Sequence, residues 1–160
     1  MKPATRIDGK AGREDGKKYG TLTVPFEIGS VYLASAERGG DGDFRVVWSE
    51  GGAREVPIGV YRATNYQVEK AKDGIDWMLS GKSDRLVRIE EGKETRLDLD
   101  VRAHLAFSLK ITHHGALVQL GITGDGEGLS IVRNGRLVEL RYRALDADRK
   151  ELSAGPMKYG

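Results

Sequence analysis

The stretch from Leu97 to Ile111 alternates apolar and polar positions almost without a break. Leu97, Leu99, Val101, Ala103, Leu105, Phe107, Leu109 and Ile111 share one parity. Arg96, Asp98, Asp100, Arg102, His104, Ser108, Lys110 and Thr112 share the other, with Ala106 as the apolar intruder. Strand side chains alternate between faces, so the pattern predicts a half-buried antiparallel strand rather than a helix. Fully extended, the stretch would span roughly 45–50 Å at about 3.3 Å per residue. That exceeds the usual strand of about five or six residues. It predicts two collinear strands, or one strand passing from one sheet to the next.

Shorter alternating segments flank it. Leu22, Val24, Phe26 and Ile28 alternate with Thr21, Thr23, Pro25 and Glu27. Pro25 cannot donate to a ladder, which predicts a sheet edge. Strands are expected over 31–36 and 44–49, the latter with Phe44, Val46 and Trp48 on one face. Over 60–68 the parity slips near Asn65, the mark of a β-bulge. Short strands follow at 77–80 and 86–90, and Glu91-Gly92-Lys93 turns into the long run. Beyond Ile111, Thr112-His113-His114-Gly115 reads as a hairpin loop before Ala116, Val118, Leu120 and Ile122. Asn134-Gly135 predicts a type I′ turn because both residues tolerate positive φ. It leads to Val138, Leu140, Tyr142 and Ala144, then to a polar turn at 146–150 and a last strand around 152–157.

The expected fold class is therefore all-β, with two tandem antiparallel β-sandwiches joined by a continuous long strand and a boundary near Asp100. Residues 1–20 hold six Lys or Arg and few apolar groups. They are expected to form a flexible basic arm, since such a stretch buries too little surface to offset its ordering entropy. Residues 21–100 would form the first sandwich with about seven strands. Residues 101–160 would form a smaller second one with about five. The rival is one larger sandwich in which the long strand bends between sheets.

Composition narrows the chemistry. The 160 residues carry a net charge of +2 and no cysteine, which removes disulfides, thiolate nucleophiles and Cys-ligated metals. So small a net charge gives no expectation of nucleic-acid binding, and no apolar run has the length of a membrane span. Glycine, at 22 residues, is abundant enough to supply many tight turns.

Val56-Pro57-Ile58-Gly59-Val60-Tyr61 carries a Pro-x-Gly-x-Tyr signature. It resembles the transthyretin-like, carboxypeptidase-regulatory-like β-sandwich domains of bacterial exported proteins, which belong to the immunoglobulin-like architectures. In this reading Pro57 presets a turn, Gly59 takes a conformation closed to other residues, and Tyr61 folds its ring over the sheet end. The segment 87–99 is similar to the closing hairpin of those domains. The segment 145–155 is similar to an Asp-x-Asp-Gly-Lys hairpin of immunoglobulin-like repeats, with Arg149 where glycine is usual. The resemblance implies a non-catalytic, extracytoplasmic module with a structural or protein-interaction role and its export signal removed; the alternative compartment is cytoplasmic. It implies no cofactor and no catalytic or metal residues.

Two other functions compete. Trp48, Trp77, Tyr61 and Tyr66 would supply the stacking platform of a carbohydrate-binding module if exposed together, although the parity of Trp48 with Val46 and of Trp77 with Leu79 favours the core. A β-sheet hydrolase would need convergent carboxylates or histidines of perturbed pKa. Arg141 and Arg143 share an outer strand face and form a candidate anion patch. His104, His113 and His114 lack metal-ligand spacing, and the acidic glycine loops around Asp41, Asp43, Asp125 and Glu127 do not continue as calcium loops. The strand holding Pro25 and the C-terminal strand are candidate open edges, where a protein partner or a second copy could add a strand.

Overall fold

A computed structural model describes residues 4–8, 16–37, 42–113, 115–126 and 128–156. The described residues are all-β, in fourteen strands. The first eight are β1 (Thr5–Asp8), β2 (Tyr19–Thr23), β3 (Gly29–Ser35), β4 (Phe44–Trp48), β5 (Arg54–Pro57), β6 (Gly59–Lys72), β7 (Ile75–Ile89) and β8 (Glu94–Arg96). The rest are β9 (His104–Thr112), β10 (Gly115–Thr123), β11 (Ser130–Arg133), β12 (Arg136–Leu137), β13 (Arg141–Leu145) and β14 (Glu151–Pro156).

A seven-stranded sheet runs β1-β4-β3-β6-β7-β11-β12, and a three-stranded sheet runs β5-β2-β8. Their inner faces share one core. Val31, Leu33, Phe44, Val46, Trp48, Tyr61, Ala63, Tyr66, Val87 and Ile89 come from the large sheet. Leu22 and Val56 come from the small one, and Leu97 and Leu99 follow it. Phe44, Val46 and Trp48 are buried on one face, as alternation requires. Phe26 meets Trp48 edge-on with ring centroids 5.7 Å apart, and Phe44 meets Tyr61 at the same separation.

The slip near Asn65 is a true irregularity. Registers of β6 with both β3 and β7 shift there, between Tyr32/Leu33 on one side and Ala63/Asn65 on the other. Asn134 and Gly135 both take positive φ, 46° and 74°, in the turn between β11 and β12. At the 56–61 signature, Tyr61 Oη donates to the Pro57 carbonyl at 3.1 Å. A Cβ on Gly59 would lie 3.2 Å from the Tyr61 ring, a tight approach, and the φ of 156° at Gly59 favours glycine. Arg149 has φ 64°, the conformation for which a glycine would have been the usual residue. The Asp146 carboxylate accepts from the backbone of Asp148 and Lys150 and offsets that strain.

Several expectations fail. Thr5–Asp8 is not part of a flexible arm: it pairs in parallel with β4, and Ile7 is buried in the core. The strand preceding Pro25 is not an edge, because β2 ends at Thr23 and lies between β5 and β8. The long alternating run is not one continuous strand: β8 ends at Arg96 and β9 begins at His104. The two short strands expected at 77–80 and 86–90 are one strand of 15 residues, β7, paired along its length with the 14 residues of β6. The connection is Asp73-Gly74, both at positive φ, 54° and 72°. Beyond the boundary expected near Asp100, β11 joins the large sheet and Leu129 enters its core. The β9–β10 and β13–β14 hairpins form two separate two-stranded sheets.

Candidate functional site

The break in the long run is a polar clasp. The loop after β10 carries Asp125, whose side chain is only 1% exposed. Ser83 Oγ donates to Asp125 Oδ2 at 2.6 Å, and Arg85 Nε and Nη2 reach Oδ1 at 2.9 and 2.8 Å. The backbone N–H of Asp100 donates to the same Oδ1 at 3.2 Å. Tyr66 Oη donates to the Asp100 carbonyl and accepts from the Asp125 N–H, both at 3.3 Å. One buried phenol and one buried carboxylate thus hold both ends of the 100–125 excursion to β6 and β7.

Glycine makes room for the phenol. A Cβ on Gly124 would sit 2.1 Å from Tyr66 Oη, and one on Gly81 would sit 2.5 Å from it. Burial raises the Tyr66 pKa, assisted by the nearby charges of Asp125 and Asp100. Burial pushes Asp125 upward too, yet the hydrogen bonds from Arg85, Ser83 and Asp100 N–H outweigh it and hold the carboxyl below its ordinary value. Asp100 is also held low, chiefly by the side chain and N–H of Arg102 and by His104. His104 Nε2 lies 2.8 Å from Asp100 Oδ2.

This chemistry is that of a fastener. A general acid at neutral pH needs a raised carboxyl pKa, whereas both carboxyls here are depressed. The partner of Ser83 Oγ is a carboxylate already occupied by Arg85, not an imidazole that could take its proton. The residues 25, 85 and 98–102 line only an open surface groove beside the clasp.

What the clasp fastens is the second feature. In β9, Leu105, Phe107, Leu109 and Ile111 are 70%, 74%, 56% and 80% exposed. Register pairs them with Ile122, Leu120, Val118 and Ala116 of β10, so eight apolar residues occupy the four directly opposed pairs of one parity. At the base Ile122 packs against the sandwich core. Beyond it, no other strand among the described residues pairs with either edge of the hairpin.

The four aromatic candidates are not brought together on a surface. Trp48, Tyr61 and Tyr66 are buried in the core, and Trp77 alone is partly open, with the Arg133 guanidinium 5.5 Å from its ring centre. Core packing of the rings explains the correction: three of the four share the inward parity of their strands. Arg141 and Arg143 lie exposed on one face of β13, where Arg143 Nε pairs with Glu151 at 2.7 Å. His113 is exposed in the β9–β10 turn, while His114, Asp41 and Glu127 lie outside the described residues. Asp43 Oδ1 accepts from the Ser35 N–H at 3.2 Å. Among the described residues no group of three His, Asp or Glu side chains is placed to hold a metal, and no helix is long and apolar enough to cross a membrane. The chain matches no protein-family model, no curated protein and no solved structure.

Sequence reasoning missed the clasp. Asp125 reads as a turn residue between glycines, and its partners lie 25 to 59 positions away. The apolar parity of β9 was visible, but as an inner face rather than an exposed one.

Proposed function

We propose that the chain is a non-catalytic, extracytoplasmic β-sandwich module of the immunoglobulin-like or transthyretin-like kind, with a protein-interaction role exercised by the β9–β10 hairpin. The observation that carries this reading is the row Leu105, Phe107, Leu109 and Ile111, each more than half exposed on a ribbon tied to the body by a buried polar clasp. A two-stranded hairpin is marginal in water by itself. An apolar patch of this extent on a soluble surface marks a contact site. The carbohydrate-binding alternative loses its support with the burial of Trp48, Tyr61 and Tyr66.

The test replaces all four residues by serine. At a concentration where the chain is monomeric, a contact surface gives a variant that keeps its melting temperature within about 2 °C of the parent, because exposed substitutions cost little, and that loses binding of an apolar surface dye. If the face were part of a folded core, the same variant would melt far lower, by roughly the 2–4 °C per kcal/mol expected of a chain of this size, and the reading would fail.

A further inference from the structure

We infer that the occupant of the β9–β10 apolar face is a second copy of this chain, docked face to face about a twofold axis; this rests on the interaction reading above. Area is the first argument. Four large side chains open to 56–80% offer on the order of 500 Å² per copy, given about 150–250 Å² for a large side chain. Two copies together then bury about 1,000 Å², the threshold of a specific interface.

Self-complementarity is the second. A twofold contact sets a patch against itself, so any charge on it meets its own kind. Leu105, Phe107, Leu109 and Ile111 carry no ionisable group, and the residues that the register sets opposite them, Ile122, Leu120, Val118 and Ala116, are not ionisable either. Lys110 falls on the opposite parity of β9. The charges at the base are already partnered: Arg102 and His104 with Asp100, and Arg85 with Asp125. A formal charge of +2 adds little long-range repulsion between copies.

Geometry is the third. Two ribbons packed face to face, about 10 Å apart, make a small four-stranded sandwich. Each ribbon then has the covered face that a lone hairpin lacks. The clasp holds the hairpin base while leaving the row from Leu105 to Ile111 accessible.

The experiment is sedimentation equilibrium on the full chain from about 1 to 300 μM, with Phe107→Asp and Leu109→Cys variants. The expected result is a reversible dimer of twice the 17.5 kDa chain mass, with its dissociation constant raised at least hundredfold by Phe107→Asp, which brings two carboxylates together. Circular dichroism and melting confirm that the variant is folded. The chain has no cysteine, so Leu109→Cys supplies a unique thiol, and mild oxidation is expected to give a disulfide-linked dimer. A monomer throughout the range, or a dimer indifferent to Phe107→Asp, overturns the inference. So does a monomer that sediments with phosphatidylcholine vesicles, which would assign the face to lipid. In each of these cases the interaction reading stands or falls separately, on the melting temperature of the four-serine variant.

Discussion

Leu97 and Leu99 belong to the same unbroken alternation as Leu105, Phe107, Leu109 and Ile111, yet the first two are 3% and 5% exposed and the last four 56–80%. The difference lies in what stands opposite. Leu97 continues from β8, with its N–H on the Thr23 carbonyl, and faces the large sheet across the sandwich. Past the clasp the chain keeps the same side-chain rhythm, but among the described residues only β10 pairs with it and the row stays exposed. Periodicity therefore declares which residues seek cover; it does not supply the cover.

Two phenylalanines sharpen the contrast most. Phe44, 4% exposed, packs edge-on against Tyr61, whereas Phe107 is 74% exposed. Phe44→Ala is expected to cost about 3–5 kcal/mol in denaturant unfolding, the range for emptying a core site. Phe107→Ala, measured at a concentration where the chain is monomeric, should cost about 0.5 kcal/mol or less. Similar losses at the two positions would break the comparison.

A smaller effect probes the joint between the regions. Gly124→Ala forces a methyl onto Tyr66 Oη and should cost about 1–3 kcal/mol, the scale of overpacking. Tyr66→Phe alone should cost about 1 kcal/mol for its lost hydrogen bonds. The double variant should be less destabilised than the sum, because the second change removes the atom the first one strikes. Simple additivity would mean that the phenol does not hold the excursion.

The smallest effect is electrostatic. Asp125 has a folded pKa below its unfolded one. Its contribution to stability is therefore present above the unfolded value of about 3.9 and is lost as pH falls through the folded value. Stability of the parent should decline below about pH 4, and Asp125→Asn should remove part of that slope while lowering stability at pH 7. Urea midpoints at pH 7, 4 and 2.5 would show it. An unchanged slope in the variant would place the acid sensitivity elsewhere, with Asp100 the next residue to change.

The sequence made local geometry legible where short-range sterics decide it. The bulge near Asn65, the inward row Phe44-Val46-Trp48, the Asn134-Gly135 turn and the Tyr61 ring over Gly59 all follow from neighbouring residues. What escaped was long-range. Residues 69–76 are largely polar on both parities because nearly all of them are exposed, so alternation fades there although the Asp73-Gly74 turn was written plainly. Arg54, buried against the carbonyls of Val47, Glu50 and Ala53, looks like any surface arginine until the 47–53 loop wraps it. The clasp joins four separate stretches, and no window of sequence contains it.

The phenol of Tyr66 touches both the carbonyl of Asp100 and the N–H of Asp125. The chain therefore leaves and re-enters the body at nearly one point; Val101 and Ile122 still pack on the core at the base, and the stretch beyond them is a cassette whose length and lettering the body does not read. Lineages could lengthen, trim or rewrite that cassette while the host domain keeps its fold, much as a handle changes its tool.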